Sequence, residues 1–193
     1  MDRNIKWAFL CSFWGNNAKD AIAWHAENGQ IDKIGMVIYE QENCGAADEA
    51  KLNGIKHVRM PLKDFDNKRD HQAKMVDILL ENGITHIFLL GFEHLIRKQM
   101  LDAFPNKIAN IHPSLFPSFL ATKTAIQDAL DYGVKVTGIT THIIDDRFDR
   151  GTILCQEPVR IDEGDTFDTL YPKFSSKGLP LIIESMKLME NQN

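Results

Sequence analysis

The stretch THIFLLGFEHLIRKQMLDAFPNKIANIHPS, residues 85–114, decides the fold. It holds two short apolar runs, THIFLLGF (85–92) and KIANIH (107–112), joined through a helix-like segment near 96–103. Runs that stay apolar, rather than alternating with polar residues, suit strands buried on both faces. Moving toward the N-terminus, WAFLCSF (7–13), KIGMVIYE (33–40) and IKHVRM (55–60) read the same way. Between them lie helix-like segments at 17–28, 45–53 and 66–82, closed by Gly29, Gly54 and Gly83. Strand and helix in strict alternation predict an α/β chain: a Rossmann-like, mostly parallel central sheet with helices on both faces. In such sheets ligands bind beyond the carboxyl ends of the strands, where strand order reverses. Those ends here are Phe13–Asn17, Leu90–His94 and Asn110–Ser114.

Moving the other way, the pattern changes after Pro113. A loop, PSLFPSF, leads to a helix near 122–132, and two long β-rich runs follow at 134–144 and 152–161, joined by DDRFDRG. Residues 166–190 read as helix, but Pro172, Gly178 and Pro180 predict two pieces rather than one. We expect a single domain over 1–193, with a nucleotide-binding-like half at 1–113 and a C-terminal part at 114–193 that completes the site.

Composition narrows the function. The chain has 193 residues, 44% hydrophobic and 25% charged, with a net charge of −5. No basic block stands out, which argues against a nucleic-acid partner. Three well-separated cysteines (Cys11, Cys44, Cys155) suit a reducing compartment, hence the cytoplasm, and lack metal-ligand spacing. No run reaches membrane-spanning length, and the N-terminus lacks the apolar length of a signal peptide.

Asn110 and His112 are two apart at a strand end, so both point to one face and can reach one reacting atom. Pro113 makes the chain leave the sheet there. The later loop carries three carboxylates, Asp145, Asp146 and Asp149, before Gly151. From the residues alone, Asn-x-His at a strand end is more often a hydrogen-bonded boundary pair than a catalytic one, and a loop aspartate is usually a turn former.

NIHPSLFPSF, then GVKVTGITTHIIDDRFDRGTIL, then EGDT together resemble the folate-dependent formyltransferase family, nearest its glycinamide ribonucleotide branch. LLGFEHLI resembles that family's folate-pocket segment. The resemblance implies a catalytic trio of Asn110, His112 and Asp149, supported by His142 and Thr140. It implies 10-formyltetrahydrofolate as cosubstrate, held by Phe92, Glu93, His94, Leu95, Asp145, Asp146, Arg147 and Phe148. The chemistry fits these side chains. An amine attacks the formyl carbon, Asn110 and protonated His112 can donate to the oxyanion, and Asp149 beside His112 can relay the proton, directly or through water. No metal is implied. The partners are a small-molecule amine and the reduced folate, and the protein is a monomer or homodimer.

On the acceptor side the resemblance is looser. The family's Gly-Asn-Gly-Ser-Asn phosphate loop is here Phe13-Trp14-Gly15-Asn16-Asn17-Ala18, with one glycine fewer. Gly15, Asn16 and Asn17, with Lys68 and Arg69, are the candidate acceptor and phosphate contacts. LATKT stands at 120–124 and Ser175-Ser176-Lys177 in the last helix, where the family pattern differs. Glycinamide ribonucleotide is the default acceptor the resemblance implies. A nucleotide-linked amino sugar, or water in a 10-formyltetrahydrofolate hydrolase, are the alternatives.

Overall fold

The computed structural model describes residues 5–145 and 151–192. The chain divides into two units, one ending at Ile108 and the other beginning at Ala109.

In the first unit, β1 (Trp7–Cys11), β2 (Ile34–Tyr39), β3 (Lys56–Arg59) and β4 (His86–Leu89) alternate with helices α1 (Asn16–Glu27), α2 (Gly45–Leu52), α3 (Lys68–Glu81) and α4 (Lys98–Ala103). The strands pair in parallel, β1 with both β2 and β4, and β2 with β3. All of β1 is buried, as its unbroken apolar sequence requires. The chain builds outward from β1 to β3 and then returns to add β4 on the other side of β1. Right-handed crossovers therefore put α1 and α2 on one face and α3 on the other. The strand order reverses between β1 and β4, so the loops after those two strands flank the switch point.

The second unit is antiparallel. β5 (Ile108–His112, all but its first residue in this unit) pairs with β6 (Val136–Ile143), which pairs with β7 (Ile153–Arg160). Helices α5 (Ala125–Tyr132) and α6 (Phe167–Asn191) complete it. Its apolar core joins Ile126 and Ala129 of α5, Ile139 of β6, Val159 of β7 and Leu170, Phe174 and Leu181 of α6.

The expected break in the last helix does not occur: α6 is one helix with Pro172 and Pro180 inside it. Both prolines lie on its exposed side, where water can satisfy the carbonyls they leave without a donor. The opposite stripe, Leu170, Phe174, Gly178, Leu181, Ser185 and Met189, is buried at helical spacing. Packing of that stripe outweighs the local cost of each ring. A capping box at Thr166 and Thr169 fixes the start of the helix.

Candidate active site

Register explains which side chains meet. β5 and β6 place Asn110 opposite His142 and His112 opposite Thr140. Directly opposed residues share a face, so these four point the same way. Ile111 and Thr141 point the other way, and Thr141 Oγ1 lies 2.6 Å from Ser185 Oγ of α6. One face of this sheet is therefore covered by α6, and the other carries the polar cluster.

Asn110 Nδ2 lies 3.2 Å from His142 Nε2. With the amide donating, His142 accepts on Nε2 and holds its proton on Nδ1. An amide nitrogen carries two N–H groups, so one remains for an incoming oxygen. His112 Nε2 lies 3.0 Å from the carbonyl oxygen of Phe119. A carbonyl can only accept, so this nitrogen carries a proton. His112 is 6% exposed and His142 is fully buried.

The loop after β5 is fixed by β6 and β7. Thr140 Oγ1 donates to Ser114 O at 2.8 Å and accepts from Phe116 N at 3.0 Å. Gln156 Nε2 donates to Phe116 O and lies equally near Thr140 Oγ1, both at 3.1 Å. So held, the Phe116 ring lies 5.4 Å from the His112 ring and 5.0 Å from that of His142. Thr140 thus positions the loop. Phe116 and Gln156 escape a sequence reading, because only strand register brings Gln156 to Thr140.

Of the residues expected from the 145–149 loop, Asp145 is described and half-buried. Asp146, Arg147, Phe148 and Asp149 lie outside the described residues. The chain beyond them is firmly placed: Ile143 N donates to Thr152 O at 2.8 Å. A Cβ on Gly151 would run into the Ile143 carbonyl, so no side chain fits there.

In the first unit, Ser12 ties the two loops at the switch point together. Its N–H donates to Gly91 O and its Oγ accepts from Glu93 N, both at 2.9 Å. Gln72, fully buried on α3, takes Leu95 O and Arg97 N at 2.8 Å each, a second clamp on the same loop that the sequence does not reveal. His94 Nε2 meets Glu40 Oε1 at 2.7 Å, and its ring is edge-on to Phe92 at 5.3 Å. It is therefore a paired, half-buried histidine rather than a solvated one. Leu95 is 59% exposed, which excludes simple core packing.

Gly15 has φ +78°, and α1 starts at Asn16, opening with N–H groups that no helical carbonyl can satisfy. Trp14, 47% exposed, lies over Gly45, where an added Cβ would come within 2.7 Å of its Nε1. Lys68 and Arg69 open α3 behind the Asn67 cap, and Arg69 pairs with Asp70 at 3.4 Å. Among the described residues, no group of three or more His, Cys, Asp or Glu could hold a metal ion. None of their helices is long and apolar enough to cross a membrane.

An amide donor and an imidazole converging on one sheet face of an α/β chain are the equipment of an acyl-group transferase. The formyl transferase family profile matches residues 5–186, and the chain belongs to that family. It is an enzyme of the formyltransferase class. The chain is 29% identical over 190 residues to phosphoribosylglycinamide formyltransferase of Bacillus subtilis, covering 97% of each chain. The solved glycinamide ribonucleotide transformylase 1 of Symbiobacterium toebii is 30% identical with a TM-score of 0.92. That match covers 100% of this chain and 90% of the other. Phosphoribosylglycinamide formyltransferase of Bacillus halodurans is also 30% identical, with a TM-score of 0.87 over 97% of this chain and 94% of that one. The expected α/β fold and the family both hold.

Proposed function

We propose that this enzyme transfers the formyl group of 10-formyltetrahydrofolate to the primary amine of glycinamide ribonucleotide, a step of purine synthesis. The observation that carries this reading is the Asn110–His142 and His112–Phe119 pair of contacts, which orient both donors on one sheet face. The amine attacks the formyl carbon, and when the tetrahedral intermediate collapses the bond from that carbon to the folate nitrogen breaks, releasing tetrahydrofolate. The free N–H of Asn110 and the imidazolium of His112 stabilise the oxyanion, a contribution of about 10²–10³ in rate for each such donor. His112 Nδ1 exchanges the proton that leaves the amine and enters the folate nitrogen, with Asp149 as its carboxylate partner. Phe92, Glu93, His94 and Leu95, and separately Asp145, Asp146, Arg147 and Phe148, are assigned to the cosubstrate. Gly15, Asn16 and Asn17, with Lys68 and Arg69, are assigned to the ribonucleotide. The whole chain acts as one formyltransferase domain. Its three free thiols suit the cytoplasm.

The test is a panel of amines assayed with 10-formyltetrahydrofolate, each read by kcat/KM. Glycinamide ribonucleotide should exceed every other amine. A nucleotide-linked amino sugar ahead by about tenfold or more would reassign the acceptor. Formate released equally fast without any amine would make the enzyme a hydrolase.

A further inference from the structure

Two cysteines that the formyl-transfer chemistry does not use lie together beneath the Gly15 loop. Cys11 ends β1 and Cys44 immediately precedes α2, and their sulfurs are 3.9 Å apart. Gly15 rests directly on them: a Cβ there would lie 3.1 Å from Cys11 Sγ and 3.4 Å from Cys44 Sγ. A disulfide needs about 2.05 Å, so the sulfurs must approach by about 1.9 Å, within reach of small rotations of two short side chains.

The two thiols are unequal. Either sulfur can donate in their contact, and Cys44 Sγ also lies 3.5 Å from the Trp14 carbonyl, which can only accept. The contact with Cys11 and, against the opposing effect of burial, the N–H groups of Ala47 and Ala46 at the start of α2 lower the Cys44 thiol. The same contact, then burial and the Cys44 charge, push Cys11 up. Of the two, Cys44 is therefore the more readily ionised thiol and Cys11 the one that keeps its proton. The third cysteine is the internal control: Cys155 is 9% exposed against 2% for Cys44, yet burial raises its thiol. Exposure favours Cys155; ionisation favours Cys44. Since the thiolate is the reactive form, ionisation should decide. Exposed Gln41, Glu42 and Asn43 immediately precede Cys44, which places it one residue below the surface of the loop in sequence.

We propose that Cys11 and Cys44 form an oxidative modification site, at which hydrogen peroxide closes a disulfide under the Gly15 loop. The Cys44 thiolate attacks one peroxide oxygen; the O–O bond breaks and hydroxide leaves, giving a sulfenic acid. That step removes the Cys44 charge and hydrogen bond that held the Cys11 proton. Cys11 then attacks the Cys44 sulfur, the S–O bond breaks, and a second hydroxide departs with the Cys11 proton as water. Two thiols and one peroxide become one disulfide and two waters, the sulfurs losing two electrons in all. A dithiol reductant reverses the change by exchange. Resting on the assignment of Gly15–Asn17 to the acceptor, closure should displace that loop and raise KM for the amine several-fold, with KM for the folate unchanged.

The folded chain is treated with hydrogen peroxide, quenched with an alkylating agent and weighed intact. The expected result is a loss of about 2 Da, a peptide pair linking Cys11 to Cys44, and full reversal by dithiothreitol. In Cys11→Ser the sulfenic acid on Cys44 should be captured by dimedone. In Cys44→Ser neither cross-link nor capture should appear. Dimedone capture at Cys155 ahead of Cys44, or no cross-link in chain that remains folded by circular dichroism, would overturn the proposal. A cross-link that leaves KM for the amine unchanged would leave the site standing and refute the acceptor assignment of the loop.

Discussion

The two units hold their polar loops in different ways. In the second, His112 is buried and Asn110 half-buried, and the loop beside them is fixed by side chains of the same sheet, Thr140 and Gln156, acting on the backbone of Ser114 and Phe116. In the first, the loop after β1 turns its aromatic side chains Phe13 and Trp14 outward and is kept in place from below by Ser12 and the closely packed Gly15. The difference teaches where this chain can change. A reacting centre depends on donors held within fractions of an ångström, so its supports are buried and mutually bonded. A recognition loop on a rigid strand end can exchange its exposed residues without disturbing that geometry.

Substitutions on each side should break this contrast to different extents. The largest effect belongs to Asp149→Asn: on the proposed assignment of Asp149 as the carboxylate partner of His112, kcat should fall by about 10² or more. A kcat within twofold of the unaltered enzyme would remove Asp149 from the proton path. Next is Gln156→Ala, which strips both contacts from Phe116 O and Thr140 Oγ1. Stability should fall by about 1–3 kcal/mol in a denaturant titration, and kcat should fall more than KM for either substrate rises. Trp14→Ala removes the ring that lies over Gly45 beside the Gly15 loop; if that loop holds the acceptor as proposed, the acceptor's KM should rise several-fold while kcat stays within about twofold. Smallest is Ala121→Gly. Ala121 sits at φ +57°, a left-handed conformation that costs an L-residue about 1 kcal/mol, so glycine should raise the melting temperature slightly with activity intact.

How much of this was legible follows the same division. The parallel strands of the first unit announce themselves as apolar runs, and the Asn110–His112 pairing follows from the period of a strand. His142 and Thr140 were legible only through family resemblance, because antiparallel register, not spacing, sets them opposite. Gln72, Gln156 and Phe116 were not legible at all: each acts through a partner distant in sequence, and nothing local marks a glutamine as a clamp. Likewise His94 reads as a loop residue until Glu40, 54 positions away, is found beside it. The error over α6 had a different source. Proline reports a local preference, and the buried stripe from Leu170 to Met189 overrides it.

The most direct measurement is the single-turnover rate of formyl transfer in His112→Ala, with folate binding measured independently by fluorescence titration. A fall of at least about 10² at unchanged folate affinity is the result required of a group that both donates to the oxyanion and moves the proton. A rate within twofold of the unaltered enzyme would mean that the imidazole on β5 serves only the packing around Phe116, and that formyl transfer is carried elsewhere.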